Sequence, residues 1–497
     1  MCKVQEKEEK TSGDSLKNST ASNLPLGQVK GRVVTQVLAC LVASLGNLSA
    51  TAVYGWTAAT LPSMEEDPDL VMDTADIAWI ASIISIGCVI GSIFAGKATD
   101  WIGRRTMLLV MAPILSGGWV IVAVAPNIAI VLLGRIICGI STAFVFSALS
   151  VYCAEVPEGR LRGRLGLIPS LFMTSGVVLS YIAGVFFSWR ISCYICLAPL
   201  ILMFLLLWAV PESPYWYLLK GRKDGCEASL RWLRGQNYDF SADVAEMEAK
   251  IKSVGNKVEY QELWKPRTRK PLLLSLFVAT LQQFTPGNIL ISYAGLIFIS
   301  AGVENHRMAI LISGFLQILF TLLSVLTVDC VGRRPLLILS TFITGIAAIC
   351  LALYYLLTEV LGIYCPLWIP IVSVLTAVSG YCIGCRTVPP LFAVELFNTT
   401  IRSTASSVYL FYNRLLAFAI SQVYPFYNEA YGAHVVFFTF GGLSIVSCLV
   451  AFFVIPETKG KTLEQIQEHF ESQKKGKPNS IHPSSEVSAD TSSGNIL

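Results

Sequence analysis

The chain has 497 residues, of which 54% are hydrophobic and only 14% are charged, against about 25% charged residues in an ordinary soluble domain. This composition excludes a soluble globular protein, and a net charge of only +4 gives no support for a nucleic-acid partner. Because each bilayer crossing takes about 20 apolar residues, the lipid bilayer is the expected surrounding of most of the chain.

The first 30 residues are polar and rich in Lys, Glu, Ser and Asn. They lack the apolar core of a cleavable signal peptide. We therefore predict a cytoplasmic N-terminal tail at residues 1–30.

About twelve apolar stretches follow, as six, a polar break and six. We place the crossings near 33–60, 76–98, 106–124, 128–150, 165–187, 191–210, 271–300, 307–328, 335–357, 365–393, 403–425 and 434–455. The sequence therefore predicts an all-α membrane protein of twelve transmembrane helices. Residues 31–210 and 271–456 would form its two six-helix bundles.

The break at residues 211–270 holds twelve basic and nine acidic residues. Its stretches "CEASLRWLRG" and "SADVAEMEAKIKSV" have apolar residues at helical spacing, which is typical of amphipathic helices. We predict an intracellular helical domain here, and a cytoplasmic C-terminal helix with a disordered tail at 457–497.

Positive charge is concentrated on one side of the predicted helices. The short connections of the other side hold only Arg190 and Arg307. Basic residues prefer cytoplasmic connections, so both termini are predicted to be cytoplasmic. The basic residues of the cytoplasmic side are Lys97, Arg104, Arg105, Arg160, Arg162, Arg164, Arg333, Arg334 and Arg402.

Three motifs of the first half recur in the second half in the same order. "DWIGRR" at 100–105 returns as "DCVGRR" at 329–334, a Glu and an Arg seven residues apart recur, and "PES" at 211 returns as "PET" at 456. Parallel six-helix repeats with a site at their interface are typical of transporters.

The charged residues of these motifs are predicted to form a cytoplasmic gate, in which pairs between the halves form only when that side is closed. The alternatives are charges that only set the topology, or static surface charge. The candidate gate residues are Asp100, Arg104, Arg105, Glu155, Arg162, Glu212, Asp329, Arg333, Arg334, Glu395, Arg402 and Glu457.

The stretch "LQQFTPGNILISY" at 281–293 interrupts the seventh apolar stretch with polar residues and a Pro-Gly pair. Inside a membrane such a break is tolerated only where it lines a cavity or is buried in protein. Transporters place substrate sites at broken helices, and the amides of Gln282, Gln283 and Asn288 offer both donors and acceptors to a polyhydroxy solute. Hydrogen bonding between packed helices is the alternative.

Two arginines, Arg386 and Arg414, fall inside the tenth and eleventh apolar stretches, whose cores contain no acidic partner. Intramembrane arginines usually face a cavity or a partner, so an anionic solute could pair with them. Alternatively, both bond backbone carbonyls or extend to an interface. Two C-x-x-C pairs, Cys193 with Cys196 and Cys382 with Cys385, lie in apolar stretches and are expected to be small buried side chains.

Together these motifs resemble the sugar porter family of the major facilitator superfamily, which includes the glucose transporters. "GRIICG" at 134, "YCAEVPEGRLRGRLG" at 152, "PESP" at 211 and "PETKGKTLEQI" at 456 carry the resemblance, and "LRWLRG" looks most like the insect trehalose-transporter branch. The resemblance implies a major facilitator fold, the cytoplasmic gate named above, and sugar contacts at Gln282, Gln283, Asn288 and Asn413.

The substrate site departs from the family pattern. Ser170 stands where the fifth span usually has a glutamine, Arg386 replaces a glycine, Pro390 a tryptophan and Arg414 another tryptophan. Ser170, Arg386 and Arg414 join the candidate substrate residues at these matching positions.

The resemblance implies facilitative transport of a sugar, glucose or trehalose, by alternating access, with no covalent chemistry and no cofactor. Proton-driven members carry an aspartate in the first span, which has no acid here, so passive transport is favoured. An organic anion carrier using Arg386 and Arg414, and a membrane sensor that transports nothing, are the alternatives. We expect a monomer in the plasma membrane.

Overall fold

The structure, a computed structural model, describes residues 32–236, 238–254, 266–397, 399–455 and 457. The predicted tail at 1–30 and all but residue 457 of the predicted C-terminal segment lie outside these residues. The described chain is helical, and its helices are α1 (Val33–Glu65), α2 (Thr74–Ile102), α3 (Arg104–Ala123), α4 (Ile128–Glu155), α5 (Gly159–Leu165), α6 (Leu167–Phe186), α7 (Trp189–Leu207), α8 (Pro214–Leu219), α9 (Lys223–Arg234), α10 (Ser241–Val254), α11 (Pro266–Gln283), α12 (Gly287–Ser300), α13 (His306–Val331), α14 (Arg333–Tyr355), α15 (Trp368–Ile383), α16 (Val388–Glu395) and α17 (Thr399–Phe453).

Twelve segments of these helices cross the membrane. Ten described stretches are long and apolar enough for a crossing, and the last of them, Thr404–Phe453, contains two crossings that meet at a bend at Gly432. The broken helix α11–α12 supplies the remaining crossing. The predicted all-α fold with twelve transmembrane helices is confirmed.

Two crossings are interrupted in the structure, the seventh at the Pro-Gly pair where the sequence predicts a break and the tenth where a continuous helix is predicted. The seventh crossing breaks at residues 284–286, and the tenth breaks at residues 384–387, between α15 and α16. Proline explains both interruptions, since it lacks an N–H and clashes with the preceding helical turn. Pro286 precedes α12, and Pro389 lies in the first turn of α16.

Helix starts follow from local sequence signals. Asp73 caps α2 by accepting a hydrogen bond from the N–H of Asp76 at 2.7 Å, and the Asp76 carboxylate accepts one from the N–H of Asp73 at 3.2 Å. Asn127 caps α4 at the N–H of Ile130. These caps satisfy backbone donors that have no partner inside the helix. Helices α2 and α4 therefore each begin directly after a short connection.

The helix ends define two sides of the bundles, called the basic side and the opposite side. The basic side is where α2 ends at Ile102 and α13 ends at Val331, next to the arginine-rich turns. The opposite side is where α1 ends at Glu65 and α7 begins at Trp189.

The segment between the bundles contains three short helices on the basic side. Helix α9 buries Cys226, Leu230 and Leu233, and α10 packs against the same apolar cluster. The insert is tied to the start of α1, because the Thr35 hydroxyl donates to the carbonyl of Leu233 at 2.6 Å and the Arg32 N–H donates to the carbonyl of Arg234 at 3.1 Å. The insert and the first bundle therefore form one packed unit.

The four cysteines of the C-x-x-C pairs are fully buried in the bundles, as expected of small core side chains.

Candidate functional site

A cavity of about 140 Å³ lies between the two bundles, beside the broken seventh crossing. Helices α1, α2, α4 and α6 line it from the first bundle, and α11, α12, α16, α17 and the residues around the end of α15 line it from the second. Binding sites at the interface of repeated bundles are typical of transporters. Its polar lining residues are Thr51, Tyr54, Ser85, Gln282, Gln283, Asn288, Ser292, Tyr381, Arg386, Tyr409, Asn413, Arg414 and Ser421.

The break in the seventh crossing brings its amide side chains together. Thr285 ends α11, since its hydroxyl donates to the carbonyl of Gln282 at 2.6 Å. Helix α12 restarts after Pro286, and the Asn288 amide donates to Oε1 of Gln283 at 2.6 Å. Two amides from the separate helices α11 and α12 thus meet at the cavity wall.

Gly287 allows α12 to approach α15 closely. A Cβ on Gly287 would lie 2.2 Å from the ring of Tyr381. With no Cβ there, the ring packs directly on the backbone, and its hydroxyl donates to Oδ1 of Asn288 at 3.2 Å.

The amide of Gln282 joins three helices in one hydrogen-bond network. Its Oε1 accepts from the amide of Asn413 at 2.8 Å and from the hydroxyl of Tyr409 at 3.3 Å, and its Nε2 donates to the hydroxyl of Tyr381 at 3.4 Å. These four side chains are nearly fully buried. The network gives the cavity a rigid wall of alternating donors and acceptors.

Both intramembrane arginines line the cavity. Arg386 lies in the break between α15 and α16, and its guanidinium donates to Oε1 of Gln317 at 3.2 Å. Arg414 projects from α17, and its guanidinium lies 5.4 Å from the ring centre of Tyr54, on α1 of the other bundle. This distance is typical of a cation–π contact.

Of the candidate substrate residues, only Ser170 stays away from the cavity. It lies at the start of α6, closer to the basic side, and Met173 and Val177 are the α6 residues that line the cavity. The lining tyrosines and Gln317 were not among the sequence candidates. Gln317 is a fully buried polar residue in an apolar stretch, which is a signal that sequence reading could have used.

On the basic side, the first bundle holds a compact charge cluster. The Arg104 guanidinium is buried, donates twice to the Glu155 carboxylate at 3.1 Å, and lies 2.9 Å from Asp100. The buried Glu212 carboxylate accepts from the backbone N–H groups of Arg104 and Arg105 at 2.9 Å. A carboxylate at a helix start is favourable, since the unpaired N–H groups and the helix dipole both attract it.

The second bundle repeats this cluster. The Arg333 guanidinium donates to Glu395 at 2.7 and 3.1 Å and to Asp329 at 3.0 Å. Glu457 accepts from the backbone N–H groups of Arg333 and Arg334 at 3.1 Å. The repeated sequence motifs therefore fold into the same arrangement twice.

Gly103 and Gly332 make both clusters possible. Their φ angles are +115° and +104°, in a region that favours glycine. A Cβ would lie 2.5 Å from Glu212 at the first position and 2.8 Å from Glu457 at the second. The glycine permits both the tight turn and the carboxylate beside it.

The second arginine of each motif bonds a helix end. Arg105 donates to the carbonyl of Leu207 at 2.8 Å, and Arg334 donates to the carbonyl of Phe452. Arg162 is exposed on α5, and the side chain of Arg402 lies outside the described residues.

The ion pairs described at these motifs all lie within one bundle, rather than between the halves. The physical reason is that each arginine-rich turn packs against a helix end of its own bundle.

Two hydrogen bonds between the bundles lie toward the opposite side of the cavity. Ser82 of α2 donates to Gln422 of α17 at 2.5 Å, and Tyr181 of α6 donates to the carbonyl of Ile291 at 3.0 Å. The lining residues closest to the basic side, Pro390 and Leu410, are exposed. In this conformation the cavity is closed toward the opposite side and opens toward the basic side.

Residues 29–470 match the family model described as "Sugar (and other) transporter". The chain is 30% identical over 445 residues to the facilitated trehalose transporter of Apis mellifera ligustica, covering 88% of this chain and 89% of that protein. It is 29% identical over 439 residues to the protein of the same name from Bombyx mori, covering 87% and 86%.

Among solved structures, the chain is similar to the xylose transporter of E. coli in a partially occluded inward-open conformation. The TM-score is 0.74 at 22% identity, and the match covers 86% of this chain and 100% of that chain. The inward-open conformation of the same transporter gives a TM-score of 0.72. These matches agree with a fold of two six-helix bundles.

Proposed function

The chain belongs to the sugar transporter family, and from this premise we propose that the cavity between its bundles binds a sugar and releases it on the other side of the membrane. The observation that carries the proposal is the wall of amides and tyrosines around Gln282. The amide and hydroxyl groups of this wall offer hydrogen-bond donors and acceptors inside the membrane. A polyhydroxy solute can take the place of water at these groups, because its hydroxyl groups both donate and accept.

Four amide side chains are the proposed sugar contacts. Gln282 and Gln283 end α11, Asn288 begins α12 and Asn413 faces them from α17. Because these residues belong to three helices that meet at one break, a bound sugar would contact α11, α12 and α17 together. Trehalose, named in the relatives' descriptions, and glucose are the proposed substrates.

Transport would proceed by alternating access. The cavity now opens toward the basic side, and rocking of the bundles would open the contacts around Ser82 and Tyr181 while closing the basic side. The charged residues of the two clusters would serve as the gate, because closure of the basic side would bring the clusters together and let pairs form between the halves.

The proposed mode is passive. The first span has no acidic residue before Glu65, so it lacks an intramembrane carboxylate that could carry a proton. The family consists of transporters, and the proposal needs neither a covalent step nor a cofactor.

The protein is a multi-pass membrane protein. The proposal places the basic side and both termini in the cytoplasm, following the positive-inside rule, and the carrier in the plasma membrane. Each chain contains a complete cavity, which supports a monomer as the working unit.

The test is uptake of labelled glucose and trehalose into liposomes that contain the full chain. We expect saturable uptake that Asn288→Ala reduces at least tenfold, since this change removes a cavity amide. Asn305→Ala changes an exposed asparagine outside the cavity and should leave uptake unchanged. Sugar binding without uptake in the unmodified protein would reject the proposal and favour a sensor.

A further inference from the structure

A neutral sugar has no negative charge to balance the two arginines of the cavity. Arg386 and Arg414 stand at positions where the family pattern has uncharged residues, and both are half-buried beside the cavity. A guanidinium stays charged in a protein, and a charge in a low-dielectric site is costly unless something compensates it. Their positions therefore require an explanation.

No described residue of the cavity lining carries a negative charge to balance them. Among the described residues that line it, the two arginines are the only charged ones. In the described part of the chain, neither arginine lies within 4.0 Å of a carboxylate oxygen. The lining thus carries two uncompensated positive charges.

Both guanidinium groups are oriented by neutral partners. Gln317 accepts from Arg386 at 3.2 Å, and the amide of Gln317 in turn donates to the Tyr181 hydroxyl at 3.5 Å. Arg414 lies over the ring of Tyr54. These contacts hold the charges at the cavity and do not neutralise them.

Arg135 is a third arginine inside the bundles, but it lies away from the cavity. It is 1% exposed, lies over the ring of Trp56 at 5.3 Å and donates to the carbonyl of Val53 at 3.4 Å. Arg386 and Arg414 differ from it because an incoming solute can reach both.

We propose that the preferred substrate is a sugar that bears an anionic group, a carboxylate or a phosphate. Arg386 and Arg414 bind the anionic group, while the hydroxyl groups bind the amides of Gln282, Gln283 and Asn413. The planar guanidinium matches either oxyanion with two parallel hydrogen bonds. This inference rests on the proposed function, sugar transport through this cavity, and changes the preferred substrate from a neutral sugar to an anionic one.

The test uses liposomes containing the full chain and three labelled solutes: glucuronate, glucose 6-phosphate and glucose. We expect saturable uptake of glucuronate or glucose 6-phosphate, with an uptake efficiency at least tenfold above that of glucose. The two anionic arms tell a carboxylate from a phosphate.

Charge-neutralising variants assign the effect to the arginines. Arg386→Gln and Arg414→Gln should each lower the apparent affinity for the anionic sugar by about 10- to 100-fold, as expected for loss of a charged hydrogen bond. The thermal unfolding midpoint of each variant should stay close to that of the unmodified protein, which reports correct folding. Arg307→Gln, which removes an exposed arginine on the opposite side, is the matched control and should change neither the affinity nor the midpoint.

A competition measurement needs no variant. In the unmodified protein, the preferred anionic sugar and glucose are compared as unlabelled inhibitors of labelled glucose uptake. The anionic sugar should reach half-maximal inhibition at a concentration at least tenfold lower than glucose does. Saturable glucose or trehalose uptake that neither anion shares or inhibits would overturn the inference and leave the proposed function intact. Absence of uptake for every solute, neutral or anionic, would overturn both.

Discussion

At the scale of single residues, the cavity depends on close packing around the break in the seventh crossing. Tyr381 reaches Asn288 and Gln282 only because Gly287 leaves room for its ring. A side chain at Gly287 would displace the tyrosine and disturb both amides.

Gly287→Ala should therefore lower sugar affinity and stability together. Its Cβ would lie 2.2 Å from the Tyr381 ring, and overpacking of this kind costs about 1–3 kcal/mol. Gly442→Ala is the control, since a Cβ there meets no atom within 4 Å. Thermal unfolding and sugar uptake of the two variants check this prediction, and an unchanged uptake affinity for Gly287→Ala would contradict it.

Glu212 provides a second prediction at this scale. It is 3% exposed and accepts from several backbone N–H groups at the start of α3. Glu212→Gln should destabilise the protein by about 1–3 kcal/mol, because the amide keeps the shape but loses the charge-assisted acceptor.

Thermal unfolding of Glu212→Gln measures this loss. The matched control is Glu227→Gln, which changes an exposed glutamate on α9 and should leave the midpoint nearly unchanged. Equal midpoints for the two variants would show that the buried carboxylate does not hold α3.

Sequence reasoning identified the polar residues of the cavity better than its aromatic ones. Gln282, Asn288 and Arg386 were identifiable because polar side chains are conspicuous in apolar stretches. Tyr381 and Tyr409 were not, since a tyrosine in a membrane span is compatible with simple packing. Ser170 is a candidate because it matches a family position. It lies in the first turn of α6, before the α6 residues that line the cavity, and the sequence does not determine where this helix begins.

At the scale of elements, the twelve crossings were predictable because each apolar stretch is long and its polar connections are short. The breaks at residues 284–286 and 384–387 were harder to place. A proline predicts that a helix is interrupted, but it does not determine at which residues the helix ends and restarts. The insert was predictable as amphipathic helices, whereas its attachment to the start of α1 depends on tertiary contacts that no local pattern contains.

The packing of α9 against α10 within the insert can be tested through Arg234. This residue is 4% exposed, forms an ion pair with Asp243 of α10 and lies 5.3 Å from the ring centre of Tyr238. Arg234→Gln should speed amide hydrogen exchange in α9 and α10 by about tenfold or more, because local opening becomes easier.

The exposed Lys220, which follows α8 in the same insert, gives the control, and Lys220→Gln should leave exchange unchanged. Equal exchange rates in the Arg234 variant and the unmodified protein would mean that apolar packing alone holds the insert.

At the scale of the whole molecule, the two bundles meet toward the opposite side, and each holds its own charge cluster on the basic side. The sequence indicated this duplication through its repeated motifs. It could not indicate which side is closed, because the two conformations of a carrier share one sequence and differ only in contacts between bundles.

Ser82 and Gln422 bridge the bundles and allow the motion to be blocked. A Ser82→Cys, Gln422→Cys double variant joined by a reducible thiol cross-linker should lose sugar uptake, and a reductant should restore it. The variants that carry only Ser82→Cys or only Gln422→Cys, treated with the same reagent, should keep their uptake. Full uptake by the cross-linked double variant would exclude separation of these helices as a transport step.

The most direct test of a carrier that works by alternating access is counterflow. Liposomes containing the full chain are loaded with a high concentration of unlabelled sugar and diluted into a trace of labelled sugar. We predict that labelled sugar accumulates transiently inside the liposomes above its equilibrium level. The reason is that outgoing unlabelled sugar repeatedly returns the cavity to the outside, where it binds labelled sugar. Asn288→Ala should reduce this accumulation. A monotonic approach to equilibrium, equal in liposomes with and without the protein, would contradict this prediction.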